Sequence, residues 1–303
     1  GSINKKLINI SIRLIIRDNM KKKKKKEGNI ILKILTFVLI LGIALILYSH
    51  FIGTKGLNIR EYAIKNSKIP INYDGLKIVH FTDLHYGSTI KTKEMKIVVT
   101  NINNLKPDLV VFTGDLIEEQ YNMSETEIDE LVNELNNIDA GLGKYYIRGN
   151  HDNNSSFDTI ISKTDFKDLN NKNELIYYND ITPIVLVGLD DPISFEPNIQ
   201  NAFDLDNENN YYTILLTHEP DLIDQIKDYN VDLVLAGHSH NGQVRVPFLG
   251  AIWTPLGSKK YYDEVYGLNN GTMYISGGIG TSAAPFRFLV KPSFNFYRLY
   301  TEE

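Results

Sequence analysis

From residue 76 onward, short apolar runs alternate with longer segments whose apolar side chains repeat at helical spacing. The runs at 76–81, 109–112 and 144–147 have the length of buried strands. Between the first two runs, an amphipathic helix is predicted by apolar residues three or four positions apart, namely Met95, Val98, Val99, Ile102 and Leu105. This order of strands and helices predicts an α/β sandwich with its sheets in the middle.

The same alternation continues toward the C-terminus. Ser124 and Glu127 form the pattern of a capping box, which predicts a helix carrying Ile128, Leu131, Val132, Leu135 and Ile138 on one face. A second helix is predicted near Thr159 and a short one from Pro220. Further strands are predicted at 184–187, 213–216, 231–236, 244–253 and 272–276, whereas 53–75 reads as an extended lead-in.

The N-terminus carries a lysine run followed by an apolar stretch. Residues 30–48 are apolar except for Lys33 and Thr36, and 19 residues of helix span about 28 Å, near the thickness of a bilayer core. Ten Lys and Arg against two acidic residues in 1–27 place the N-terminus in the cytoplasm by the positive-inside rule. A cleaved signal peptide is the alternative, but no Ala-x-Ala site follows Leu47.

We therefore predict three segments and a location. A basic cytoplasmic segment occupies 1–29, a transmembrane anchor 30–52, and one globular domain 53–303. The protein would be a single-pass protein of the cell membrane with its domain outside the cytoplasm. Residues 34–303 hold 21 Lys and Arg against 35 Asp and Glu, so we expect no nucleic-acid partner.

Polar side chains follow five of the predicted strands, at the point where each strand ends. These motifs are Asp83-Leu84-His85, Gly114-Asp115, Gly149-Asn150-His151-Asp152, Thr217-His218-Glu219 and Gly237-His238-Ser239-His240. Each motif alone is compatible with an ordinary turn. Ligands of open α/β sheets bind at the carboxyl ends of strands, so we expect the five loops to meet in one crevice. Five of the seven histidines lie in them, while His80, inside a strand, is predicted to be a core histidine.

This set of side chains points to metal ions. The chain has no cysteine, so thiolate ligands, disulfides and cysteine nucleophiles are excluded. Carboxylate, amide and imidazole groups around one crevice are a ligand set for two divalent cations. The glycines before Asp115, Asn150 and His238 allow the backbone to turn sharply there.

The order of these motifs resembles the calcineurin-like metallophosphoesterases over about residues 76–290. The segments 81–85 and 242–244 are similar to the membrane-anchored branch, which includes bacterial envelope phosphodiesterases and UDP-2,3-diacylglucosamine hydrolases. The resemblance implies a four-layer α/β/β/α sandwich following the N-terminal transmembrane helix. Asn241, the glycines at 277–280 and the segment 291–294 depart from the pattern of that branch and bear on the substrate.

The resemblance also implies roles for individual residues. One metal would be held by Asp83, His85, Asp115 and His240, and the second by Asp115, Asn150, His218 and His238. In such a site, two metals would activate a bridging hydroxide to attack phosphorus, and His151 would protonate or stabilise the leaving oxygen. Oxygen and imidazole ligation favours manganese, with iron, zinc and magnesium as alternatives.

The predicted function is a membrane-anchored, metal-dependent phosphoesterase. Its substrate would be a phosphodiester or pyrophosphate of the cell envelope, such as a lipid head group or a nucleotide sugar. A membrane-tethered protein that binds metals without catalysis, or a metal-dependent nuclease, is the alternative. Arg148, Arg245 and Arg287 are candidates for contacting phosphate, with structural salt bridges as an equal reading.

Overall fold

Two six-stranded sheets and a two-stranded ribbon make up the β-structure of residues 2–205 and 210–302, the part of the chain that the computed structural model describes. The side chains of 2–6 and 8–10 lie outside this description, as do residues 1 and 303 at the ends of the predicted segments. The ribbon pairs β10 (Arg245–Val246) with β11 (Gly250–Ala251) in antiparallel register.

The first sheet has the strand order β1-β14-β2-β3-β4-β5. Its strands are β1 (Asn58–Asn66), β2 (Lys77–Phe81), β3 (Leu109–Phe112), β4 (Lys144–Tyr146), β5 (Phe166–Asp168) and β14 (Ser293–Thr301). Strands β2 to β5 are parallel, so their carboxyl ends meet at one edge. The strand β14 runs antiparallel to β2 and parallel to β1.

The second sheet has the order β12-β13-β9-β8-β7-β6. Its strands are β6 (Lys172–Ile176), β7 (Ile184–Gly188), β8 (Thr213–Thr217), β9 (Leu233–Ala236), β12 (Val265–Gly267) and β13 (Thr272–Ile275). The four central strands are parallel and the two edge strands antiparallel. Every residue of β7, β8 and β9 is buried, because both faces of the sheet are covered.

Helices cover the outer face of each sheet. The helices α2 (Thr92–Leu105), α3 (Glu125–Asn136) and α4 (Ser155–Ser162) pack on the first sheet, with Met95, Leu131 and Phe157 in the same apolar cluster as β2 and β3. The second sheet is covered by short elements, α5 (Ile199–Ala202) and a 3₁₀-helix at Pro220–Gln225. Further 3₁₀-helices lie at Ile71–Tyr73 and His240–Gly242.

This arrangement confirms the predicted four-layer α/β/β/α sandwich, with a fourth layer of short helices. A second apolar cluster fills the space between the two sheets, where residues such as Ile78, Val111 and Leu216 are fully buried. The capping box of α3 forms as predicted, because Ser124 accepts from the Glu127 N–H while the Glu127 side chain accepts from the Ser124 N–H. The helix ends before Ile138, which is buried beyond it.

Several strands were not predicted from the sequence. The lead-in at 53–75 contains β1, a nine-residue strand, which pairs along its whole length with β14 at the other end of the chain. The strands β5 and β6 lie in the polar stretch that follows β4. The pairing of β1 with β14 is a long-range contact, and local sequence patterns carry no information about such a pairing.

The chain divides into two units, Gly1–Tyr48 and Ser49–Glu303. A single helix, α1 (Ser2–Phe51), runs without a break through the predicted basic segment and the predicted anchor. Its part Ser11–Phe51 is long and apolar enough to cross a membrane, by length and composition. The boundaries 1–29, 30–52 and 53–303 stay a prediction.

Candidate metal centre

The loops that follow β2, β3, β4, β8 and β9 meet at one edge of the sandwich, as the strand-end motifs predict. The first group of side chains contains Asp83, His85 and His240, whose candidate ligand atoms lie within 4.8 Å of one another. His240 Nε2 is 3.3 Å from Asp83 Oδ1 and 3.2 Å from His85 Nε2. Two of these side chains come from the first sheet and one from the second.

A second group contains Asp115, His218 and His238. His218 Nε2 lies 3.2 Å from Asp115 Oδ2, and the rings of His218 and His238 are 4.9 Å apart between centroids. All three side chains are buried. This group therefore also joins a carboxylate from the first sheet to imidazoles from the second.

Asp115 lies between the two groups. Its Oδ2 is 3.5 Å from His85 Nε2 on one side and 3.2 Å from His218 Nε2 on the other. A third group consists of His85, Asp115 and His151, so the predicted catalytic histidine is beside the same carboxylate. The backbone N–H of His151 also donates to Asp115 Oδ1 over 2.9 Å.

The donor atoms fit divalent cations. The Nε2 of His218 and the Oδ1 of Asn150 are buried and have no hydrogen-bond partner within the described part of the chain. Buried polar atoms without a partner are costly and call for an explanation. Asn150 lines the same cavity as Asp115 and His238, so a cation in this cavity would satisfy both its amide oxygen and the His218 nitrogen.

Three outer contacts orient the imidazoles of the site. His218 Nδ1 donates to the Thr113 carbonyl over 2.6 Å, and His238 Nε2 donates to the Leu256 carbonyl over 2.6 Å. His85 Nδ1 lies 2.9 Å from a carboxylate oxygen of Glu118. Because these partners can only accept, the opposite ring nitrogen is the one that faces the other candidate ligands, and it binds a cation once its proton is displaced.

His240 has a different outer partner. Its Nδ1 lies 3.2 Å from the Nη2 of Arg287, a fully buried guanidinium that donates to the carbonyls of Gly277, Gly278 and Gly280. Arg287 thus ties the segment 277–280 to His240. This contact assigns Arg287 a structural role rather than one in binding phosphate.

The Asp152 carboxylate braces the loop geometry. Its two oxygens accept from the backbone N–H groups of Asp115, Leu116 and Gly149, each over 2.8 Å. Gly149 is required at this position, because a Cβ there would lie 2.3 Å from Asp115 Oδ1 and 2.7 Å from His218 Cε1. Asp152 and Gly149 therefore hold the β3 and β4 loops together.

Five of the predicted ligands have left-handed backbone conformations, at positive φ: Asp83, His85, Asp115, His238 and His240. Non-glycine residues in this region carry a conformational cost of roughly 1 kcal/mol or more each. Such strain persists only where the surrounding structure enforces it, and it is typical of functional sites.

Neighbouring charges control the protonation of the centre. Burial alone would raise the pKa of Asp83 and of Asp115, but adjacent imidazoles outweigh it and hold both pKa values below the usual range. Burial also opposes protonation of His85, yet hydrogen bonds to Asp83 and Glu118 raise its pKa to about 10. Burial lowers the pKa of His238 to about 4. The carboxylates are therefore ionised, the form that binds a cation.

A cavity of about 870 Å³ opens onto the centre. Asp115, Asn150, His151, His238 and His240 line its inner wall. Its outer wall is largely apolar and includes Val244, Ile252, Trp253, Pro255 and Leu256. The cavity is large enough to hold a phosphoester against the candidate metal ligands.

The structure brings together every residue predicted for the site. Asp83, His85, Asp115, His218, His238, His240 and His151 fall in the three groups, and Asn150 lines their cavity. Their roles stay a prediction. His80 is a core histidine as predicted, fully buried with Nε2 2.8 Å from Thr113 Oγ1. Arg148 pairs with Asp190 and Arg245 with Asp263, which are structural salt bridges.

Two residues of the site were not predicted. Glu118 lines the cavity and contacts His85, and Asp152 holds three backbone N–H groups. Glu118 lies three residues past Asp115, beyond the strand-end motif. Asp152 belongs to the Gly-Asn-His-Asp motif at 149–152, but only the fold shows which backbone N–H groups donate to its carboxylate.

Comparison with known proteins identifies the family. A family model described as calcineurin-like phosphoesterase matches residues 76–242. An "Uncharacterized metallophosphoesterase YkuE" from Bacillus subtilis is 32% identical over 256 residues, which cover 83% of this chain and 88% of that protein. A "Transmembrane protein with metallophosphoesterase domain" from Danio rerio is 26% identical over 268 residues, covering 82% of this chain and 59% of that protein.

The chain belongs to the calcineurin-like phosphoesterase family. It is a metal-dependent hydrolase of phosphoester bonds. The family implies divalent cations as cofactors, and the three groups of Asp and His side chains are candidates to hold them. The predicted resemblance to the family is thereby confirmed. The narrower resemblance to the branch that includes UDP-2,3-diacylglucosamine hydrolases stays a prediction.

Proposed function

We propose that the protein is a membrane-anchored phosphodiesterase or pyrophosphatase that binds two divalent cations side by side. The observation that carries this proposal is the position of Asp115, whose Oδ2 lies within 3.5 Å of imidazole nitrogens from both groups. One carboxylate oxygen between two sets of ligands is the arrangement expected of a bridging ligand in a two-metal site.

Each cation has four protein ligands in this proposal. Asp83, His85, Asp115 and His240 would hold one, and Asp115, Asn150, His218 and His238 would hold the other. Bound divalent cations supply charge neutralisation for phosphate oxygens and lower the pKa of bound water. The oxygen and imidazole donors favour manganese over softer metals, with iron, zinc and magnesium as alternatives.

His151 is proposed to protonate or stabilise the leaving oxygen. It lies beside Asp115 and lines the cavity, and its ring packs edge-on against His85 with 4.9 Å between centroids. Its buried Nδ1 has no hydrogen-bond partner among the residues described. A group positioned in this way can approach a substrate oxygen inside the cavity and deliver a proton to it.

The membrane attachment is proposed from α1. The lysine run before residue 30 and the apolar stretch after it support a cytoplasmic N-terminus and a catalytic unit on the other side of the membrane. The substrate would then be a phosphoester of the cell envelope, either a lipid head group or a nucleotide sugar. The acidic composition of 34–303 argues against a nucleic-acid substrate.

Turnover and metal content test this function together. The full-length protein, purified in detergent without chelator, is assayed with bis-p-nitrophenyl phosphate and p-nitrophenyl phosphate with and without added Mn²⁺. We expect Mn²⁺-dependent release of nitrophenol from at least the diester. If the protein cleaves neither ester but binds metal, it is a metal-binding protein without catalysis. If it cleaves neither ester and binds no metal, the whole proposal is rejected.

A further inference from the structure

The apolar outer wall of the cavity continues onto an exposed surface. Five large apolar side chains between 248 and 256 are more than half exposed, and we call them the apolar rim: Phe248, Leu249, Ile252, Trp253 and Leu256. Single exposed apolar residues are normal, but a contiguous group beside a binding site marks an interaction surface.

The tip of the rim is unfavourable for a protein in water alone. Phe248 lies in the turn between β10 and β11, with a φ of 68° and its side chain fully exposed. A bulky residue at positive φ is strained, and glycine or asparagine would relieve that strain. Phe248 therefore costs conformational energy and forms little compensating packing with its own chain.

The rim is directly connected to the metal centre. The Leu256 carbonyl accepts the hydrogen bond from His238 Nε2, so the rim loop orients a candidate ligand. Ile252, Trp253 and Leu256 also line the cavity. A molecule that covers the rim is consequently in contact with the mouth of the cavity.

The rim is also connected to the point where the chain enters the globular unit. Arg287 N–H donates to the Ser49 carbonyl over 3.0 Å, and the next residue, Phe288, accepts from Arg245 N–H at the base of the β10–β11 ribbon over 3.0 Å. A Cβ on Gly53 would lie 1.8 Å from the Arg287 carbonyl, so the backbones pack directly. Ser49 follows the apolar stretch 30–48 without an intervening linker.

The connection between the apolar stretch 30–48 and the β10–β11 ribbon indicates what covers the rim. If 30–48 cross a bilayer, Ser49 lies at the bilayer surface, and two hydrogen bonds connect it to the base of the ribbon. Phe51 and Ile52 are exposed apolar residues at the same entry point. Lys259 Nζ lies 5.5 Å from the Trp253 ring, and an indole flanked by a lysine is typical of a membrane interface.

We propose that the apolar rim inserts into the surface of the bilayer that holds α1, so that the metal centre hydrolyses the phosphodiester of a membrane lipid. This inference rests on the proposed function and narrows its substrate to a lipid head group. In the reaction, water adds its oxygen to phosphorus and one P–O ester bond breaks. The leaving alcohol takes up a proton, and a phosphomonoester remains.

Trp253 is the only tryptophan in the chain, so its fluorescence tests the insertion without any activity assay. The full-length protein is reconstituted into vesicles of phosphatidylcholine and phosphatidylglycerol, with or without bromine on the acyl chains. We expect short-wavelength emission that the brominated lipids quench. Emission like that of indole in water contradicts insertion, and short-wavelength emission without quenching shows that protein, such as a second copy, covers the rim instead.

A kinetic comparison tests the substrate class. Phe248→Ser with Leu249→Ser changes only the tip, and Ile71→Ser with Ile181→Ser is the matched control, because both isoleucines are exposed elsewhere. With hexadecyl p-nitrophenyl phosphate in the vesicles, we expect kcat/KM of the tip variant to fall roughly tenfold or more, since two apolar insertions are lost. Turnover of soluble bis-p-nitrophenyl phosphate should be unchanged.

The outcomes separate this inference from the proposed function. Equal loss on both esters, or no loss on the lipid-like ester, overturns the rim proposal while leaving the phosphodiesterase intact. If wild type cleaves neither ester, the proposed function fails, and the quenching of Trp253 still decides whether the rim inserts.

Discussion

Histidines are buried both between the two sheets and at the edge where the strand-end loops meet, yet the pKa values of His80 and His218 shift in opposite directions. His80 between the sheets has Nε2 hydrogen-bonded to Thr113 Oγ1, and burial lowers its pKa to about 3. His218 at the edge leaves Nε2 without a partner among the described residues. Burial would lower its pKa too, but the Asp115 and Glu219 charges outweigh burial and raise it well above the ordinary value.

This difference shows how burial can serve structure or chemistry. A core imidazole that is neutral and hydrogen-bonded is compatible with the fold without any ligand. An edge imidazole aimed at a shared carboxylate, with its other nitrogen fixed by a carbonyl, is arranged for a cation. The backbone follows the same division, because the left-handed conformations of Asp83, His85, Asp115, His238 and His240 belong to the edge.

The largest effect is expected from Asp115→Asn. Removing the bridging charge should lower turnover of bis-p-nitrophenyl phosphate by roughly a thousandfold or more and reduce bound metal below two ions per chain. Kinetics and elemental analysis of the purified variant measure both quantities. Asp224→Asn, at a carboxylate that pairs with Lys227 and Lys260 outside the three groups, is the matched control and should keep both. Full metal content in Asp115→Asn would contradict the bridging role.

His151→Ala should separate chemistry from metal binding. We expect kcat to fall about a hundredfold while metal content is unchanged, since general acid catalysis contributes this much or more. The loss should be larger for an alkyl leaving group than for p-nitrophenolate, which leaves without a proton. A loss that is the same for both leaving groups would remove His151 from the acid role.

Gly149→Ala tests the close packing at the edge. The added Cβ meets Asp115 and His218, so we expect weaker metal binding and a loss of turnover of about tenfold, as small displacements of catalytic groups are costly. Gly141→Ala is the control, because a Cβ there meets nothing within 4 Å. Titration with Mn²⁺, followed by activity, compares the two. Equal behaviour of both variants would show that the edge tolerates displacement.

His80→Asn has the smallest expected effect and concerns the core alone. Between pH 6.5 and about 3, the unfolded chain binds a proton at His80 that the folded chain excludes, so stability falls as the pH falls. In the variant, the unfolding free energy should depend less steeply on pH, by up to about 1.4 kcal/mol per pH unit. Denaturant unfolding of chelated protein at several pH values measures it. An unchanged slope would mean that folded His80 takes up the proton.

Sequence patterns predicted the strand-end loops of the candidate metal centre better than the strands β1 and β14. Each strand-end motif combines a short apolar run with Asp, Asn or His directly after it. The carboxyl ends of parallel strands lie at the same side of a sheet, so these positions come together regardless of which strands pair at the edges of the sheet. The strands β1 and β14 were missed because their pairing joins the two ends of the globular unit. The apolar character of β1 alternates weakly, since only one of its nine residues, Ile64, is buried.

The supporting contacts of the site depend on loop geometry, and for that reason the sequence does not show them. Glu118 reaches His85 only because the β3 loop turns back after Asp115, with the backbone N–H of His85 donating to the Asp115 carbonyl. Arg287 was a candidate for binding phosphate, but its burial against three carbonyls makes it part of the framework. The carbonyls that orient His218 and His238 belong to residues whose side-chain identity is irrelevant to the contact.

The most direct test of the account is electron paramagnetic resonance of protein loaded with Mn²⁺, combined with metal analysis of the same sample. Two cations that share Asp115 should give two manganese ions per chain and a spectrum of exchange-coupled ions, and Asp115→Asn should abolish the coupling. A single ion per chain, or two ions with the spectrum of isolated manganese, would contradict the shared carboxylate on which the account depends.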